Sequence, residues 1–126
     1  GFGGSFLYNV KQISLALSSN ESDVNIEKAR EQHVNFTEEF IRRINRDERI
    51  RPYLDHYPFS PEGVSIRIAF EASLHGEDVT YVFYSRGNVV YARPDVETGL
   101  LESIFEEPYE EAVRIVKEQG KLRGEG

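Results

Sequence analysis

A chain of 126 residues suits one domain that buries roughly two-thirds of its unfolded surface, so no second domain is required. Its formal charge of -7 argues against a general nucleic-acid or anionic-membrane binder, since both need concentrated Lys and Arg to neutralise phosphates. Cysteine is absent, which excludes disulfides, thiolate catalysis and Cys-based metal sites, while 7 Tyr and 8 Phe supply bulk for a folded core.

Residues 1–5 are Gly-rich and read as a flexible leader or tag remnant. A chain that opens Gly1-Phe2 and contains no Met is expected to be processed, truncated or tagged, with a lean toward an exported, extracytoplasmic origin. From Phe6 to Leu17 two templates compete: Phe6, Val10, Ile13 and Leu17 fit a helical stripe, Ile13, Leu15 and Leu17 a strand. The helix is the expectation. Ser18 to Asp23 then form a turn or capping region. A long helix is predicted from about Asn25 to about Arg46, with Ile26, Ala29, Phe36, Phe40, Ile41 and Ile44 on its apolar side. It should stop before Pro52, because Pro disfavours helical geometry in the preceding residue.

Residues 52–63 hold three prolines and three aromatics, which predicts an ordered connecting loop. Three β-rich runs follow, Val64 to Leu74, Val79 to Ser85 and Val89 to Arg93, and Leu100 to Phe105 offers a fourth strand. A last helix fits Glu107 to Gln119, with Pro108 at its first position, acidic residues at its start and Gly120 as its stop. Its stripe of Tyr109, Ala112, Val113 and Val116 is narrow and predicts peripheral docking.

These elements predict an α+β fold in two layers: a three- to four-stranded antiparallel meander packed against a long N-terminal helix, with a peripheral C-terminal helix. The single domain spans residues 6–120, and residues 121–126 are expected to form a disordered tail. No apolar run reaches the ~18 residues of a spanning helix, so no membrane insertion of this segment is expected.

Turn parity assigns the faces of the predicted sheet, because directly opposed residues of an antiparallel pair point the same way. A turn at His75-Gly76-Glu77-Asp78 sets Leu74 against Val79 and Phe70 against Phe83. One face then gathers Val64, Ile66, Ile68, Phe70, Ala72, Leu74, Val79, Tyr81, Phe83, Val90 and Ala92 as the core. The other holds Ser65, Arg67, Glu71 and Ser73 on the first strand, but Val82, Tyr84, Val89 and Tyr91 on the next two. That second half is too apolar for plain exposure. Either the chain covers it, or it is a contact surface flanked by Arg86 and Arg93.

Candidate chemistry is sparse. His33, His56 and His75 make no HxxxH or HxH pair, so no metal site and no cofactor is predicted. Glu102, Glu106, Glu107, Glu110 and Glu111 crowd a helix start, where negative charge is stabilising without any catalytic role. The Arg42 to Arg51 run is interrupted by Asp47 and Glu48 and reads as a solvated helix back. Without a nucleophile and base pair, the sequence favours a non-enzymatic module that binds a protein partner or its own copy. The contact is expected through Val82, Tyr84, Arg86, Val89, Tyr91 and Arg93, or through the aromatic loop at Tyr53, His56, Tyr57 and Phe59. The alternative is a small-ligand binder or enzyme using a helix–sheet cleft lined by His33, Thr37 and Tyr81.

Overall fold

Alternation decides the first element of the computed structural model, which describes residues 13–53, 61–71 and 78–123. Ile13, Leu15 and Leu17 are half-buried, Ser14, Ala16 and Ser18 are exposed, and the segment Ile13–Ser18 is strand β1. It is not the helix expected over Phe6 to Leu17, of which residues 6–12 lie outside the described residues. Side chains at period two can share a face only in a strand, and that pattern outweighs the sparser helical spacing.

Helix α1 (Ile26–Arg46) follows, with the Asn25 side chain accepting a 2.8 Å hydrogen bond from the Lys28 amide as its N-cap. Buried Val24 before the cap and buried Ala29 in the first turn have the placement of a hydrophobic staple. After short 3-10 turns at Arg51–Tyr53 and Pro61–Gly63 come β2 (Val64–Ala69), β3 (Tyr81–Ser85), β4 (Asn88–Pro94), β5 (Leu101–Pro108) and helix α2 (Tyr109–Glu118).

The strands form one five-stranded sheet in the order β1-β2-β3-β4-β5. Strand β1 runs parallel to β2, with α1 as the crossover that parallel neighbours require, and the other pairs are antiparallel. The sheet is thus mixed and wider than the expected antiparallel meander.

Register also corrects the faces. Arg67, not Phe70, stands opposite Phe83, and Ile68 stands opposite Val82. The shift from Phe70 to Arg67 is an odd number of residues, which at a period of two turns β3 and β4 over. The cause lies where β2 ends. Phe70 continues the same register by donating to the Thr80 carbonyl, Glu71 then turns away to donate to the Glu21 carbonyl, and Ala72 to Glu77 lie outside the described residues. Consequently Val82, Tyr84, Val89 and Tyr91 join Ile66 and Ile68 under the helices, while Tyr81, Phe83, Val90 and Ala92 share the opposite face with Ser65, Arg67 and Ala69.

Helix α1 lies over β2, β3 and β4, and α2 packs beside it against β4 and β5. Although expected at the periphery, α2 buries Tyr109, Ala112 and Val116 in the same core. The chain beyond Gly120, expected as tail, is held through Arg123: Asn35 donates to the Lys121 carbonyl at 3.1 Å and accepts from the Arg123 amide at 2.7 Å. Among the described residues no helix is long and apolar enough to cross a membrane.

Candidate functional site

The expected site residues separate when the chain folds. Val82, Val89 and Tyr91 are fully buried in the core, and Tyr84 is half-buried with its ring 5.9 Å from that of Tyr109 in an edge contact. Arg86 and Arg93 lie beyond and near opposite ends of β4, exposed and half-exposed. Tyr53 closes a 3-10 turn, and His56, Tyr57 and Phe59 lie outside the described residues. His33 and Thr37 are buried beneath α1, whereas Tyr81 is on the far face of the sheet, so the helix–sheet cleft does not assemble.

Polar side chains do meet inside the core. Arg30 donates to both Glu107 oxygens, from Nε at 2.8 Å and from an Nη at 3.2 Å, and the Tyr91 hydroxyl donates to the same carboxylate. Burial, then the hydrogen bond to the Glu107 carboxylate, pushes the Tyr91 phenol far above its usual range. Tyr109 is raised as well, by burial and by the charge of Glu38, whose carboxylate accepts its hydroxyl at 2.7 Å. His33 donates from Nε2 to the Ile66 carbonyl at 2.8 Å, leaving a bare Nδ1 with no partner among the described residues. Burial drops its pKa to about 4, so the imidazole is neutral at ordinary pH. These groups tie helices to sheet and open onto no described hollow.

The face away from the helices is different. Strands β1 and β2 offer small residues there, Ser14, Ala16, Ser65 and Ala69, while β3 and β5 offer Tyr81, Phe83 and Leu101. Small beside large leaves two adjoining hollows of about 360 Å³ and about 400 Å³, which share Ala16, Arg67 and Leu101. Strands β1 and β5 are separated by three others in the sheet order, yet Ala16 and Leu101 line the same hollows. The sheet is therefore coiled into a trough, and a register break between Tyr91 and Ala92 of β4 supplies a bend of the kind that curves a sheet.

Exposed Arg67 stands between the hollows, with Leu101 48% exposed at the rim. Alternation along β3 made Tyr81 and Phe83 visible as a pair, but the assumed turn placed them in the core. The Ser14/Ala16 side of β1 was visible only on the strand template. Among the described residues no group of His, Asp and Glu is arranged to hold a metal ion. Comparisons with protein-family models, with curated proteins and with solved structures returned no match, so the functional reading rests on this geometry.

Proposed function

We propose that the chain is a non-catalytic protein-interaction module whose contact surface is the concave face of the sheet around Arg67, Tyr81, Phe83 and Leu101. The supporting observation is the trough itself: two connected hollows with aromatic and aliphatic walls and a guanidinium at their junction. Tyr, Phe and Arg are the side chains enriched where proteins bind one another, and a desolvated Arg among them selects a partner carrying a carboxylate. The fitting ligand is a segment with apolar side chains for the hollows and an Asp or Glu for Arg67. The one described imidazole that burial perturbs, His33, is sealed in the core and reaches no such ligand.

Arg67→Glu with Leu101→Asp tests this reading, because both side chains are exposed and their exchange leaves the core intact. Proteins retained by immobilised wild-type chain should be lost from the double variant while the circular dichroism spectrum stays unchanged. Equal retention by the two forms removes the trough as the contact surface.

A further inference from the structure

The sheet ends in two strands whose outer edges are unlike. Strand β5 carries Glu102, Glu106 and Glu107, its pairing with β4 is bulged, and it closes at Pro108. Charge, bulge and proline are the devices by which edge strands resist the addition of another strand. Strand β1 has none of them: it reads Ile-Ser-Leu-Ala-Leu-Ser, uncharged, and all six residues are in register with β2. No described strand pairs with its outer side. Because α1 lies over β2, β3 and β4, Ile13, Leu15 and Leu17 remain only half-buried. Alongside them Leu17, Ile68, Gln32 and the 43% exposed Phe36 line a groove of about 490 Å³.

We propose that the outer edge of β1 pairs antiparallel with β1 of a second copy of this chain, joining the two sheets into one continuous sheet across a two-fold axis. The strand's own pattern selects this occupant. A two-fold contact must be self-complementary, and in an antiparallel pair opposed residues share a face. With the axis at Leu15, Leu15 meets its own copy, Ile13 meets Leu17, and Ser14 meets Ala16. Large apolar side chains then line the helix side continuously and small ones the concave side. A slip of one residue sets Ser14 against Leu17 and forfeits that match. Net charge of -7 opposes contact between copies over most of the surface, and β1 is an edge that brings no charge with it. Backbone hydrogen bonds supply the affinity, as in other strand additions.

The Ser14 and Ala16 side chains also line the trough, so the two readings are kept apart by Arg67→Glu with Leu101→Asp, which alters the trough and leaves β1 untouched. The chain has no Cys, so Leu15→Cys introduces a single thiol. At the two-fold axis its copies lie within disulfide reach, and mild oxidation should give a covalent dimer far faster than Leu101→Cys does. Ser14→Lys with Ala16→Lys sets ammonium against ammonium across the axis. In sedimentation velocity this pair should weaken dimerisation at least ~10-fold. Ser14→Lys with Ala16→Glu opposes unlike charges and should restore the dimer, a rescue that a merely unfolded variant cannot show. Arg67→Glu with Leu101→Asp should leave the dimer intact. A wild-type chain that stays monomeric at every concentration overturns the proposal, as does a dimer indifferent to the lysine pair. So does a full chain that dimerises only once residues 1–12 are removed, since those residues would then occupy the edge themselves.

Discussion

Arg30 in α1 grips both carboxylate oxygens of Glu107 in β5 across 77 positions of sequence, with both side chains buried. Tyr91 of β4 donates to the same carboxylate, so one acid ties a helix to two neighbouring strands. An ion pair in the core gains little over an apolar pair of equal size, because each charge has lost its water. Removing one partner is different, since it strands the other charge. Arg30→Ala or Glu107→Ala should therefore cost about 3–5 kcal/mol. Arg30→Met with Glu107→Leu should recover part of that loss, the buried Tyr91 hydroxyl being left without its acceptor. Urea unfolding of the four proteins checks it, and a single-variant loss below about 1 kcal/mol contradicts it.

His33 gives stability a pH dependence of definite sign. In the unfolded chain its imidazole takes a proton as pH falls through about 6.5, but in the fold only near pH about 4, because burial opposes the charge. The folded pKa is depressed, so the contribution is complete above 6.5 and disappears as pH falls toward 4. By linkage the loss is about 3 kcal/mol. Tyr109 faces the ring edge-on at 6.4 Å and the Ile66 carbonyl binds Nε2; neither holds a cation's counter-charge. His33→Gln keeps a donor for Ile66 and should flatten the unfolding free energy between pH 6.5 and 4. The half-buried carboxylates held below their usual range by Lys or Arg, Glu21 and Glu111 among them, begin to lose their contribution only as pH falls through about 4.5, so the upper part of the window belongs to His33.

Legibility in the sequence followed the range of the interactions. Helix α1 could be read almost to the residue, because a long periodic stripe with a capping Asn and a following Pro is local information. Faces within each strand were equally local. The relation of β2 to β3 was not: Phe70 still pairs with Thr80, but Glu71 turns away to the Glu21 carbonyl, well before the assumed turn at His75. One odd shift then exchanged core for surface, so Tyr84 and Tyr91 were assigned to a contact face and Tyr81 and Phe83 to the core. Arg30 was missed because a lone Arg on a helix carries no mark that Glu107 will meet it in the interior.

The β3–β4 turn stores a removable strain. Ser85 opposes Asn88, so the loop is Arg86-Gly87, and both residues have positive φ, 52° and 86°. That is the twist a two-residue hairpin requires, and Gly supplies it freely whereas Arg pays a steric penalty. Arg86→Asn should raise stability by up to about 1 kcal/mol, because Asn tolerates the left-handed region. Gly87→Ala should lower it by about 1–2 kcal/mol, although a Cβ there meets nothing within 4 Å. Opposite signs at adjacent positions, read from thermal unfolding, separate backbone conformation from packing.

Asn35 is the clasp for the end of the chain. Buried on α1, its amide nitrogen donates to the Glu31 carbonyl and to the Lys121 carbonyl, and its oxygen accepts from the Arg123 amide. An amide is the side chain that offers donor and acceptor together, so it can pair with both groups of a passing backbone. Asn35→Asp keeps the size and the acceptor but loses the donor, placing a carboxylate against the Lys121 carbonyl. Asn35→Leu leaves both backbone groups without their partner. Hydrogen exchange at Arg123 should accelerate in the Leu variant, and less in the Asp variant, by more than the exchange of core amides in β3 and β4 does. Global stability should fall by about 1–3 kcal/mol in the Leu variant if the clasp belongs to the cooperative fold. Accelerated exchange at Arg123 with unchanged unfolding would instead make Lys121 to Arg123 a locally opening unit, its release independent of the core that Tyr109, Ala112 and Val116 build with the sheet.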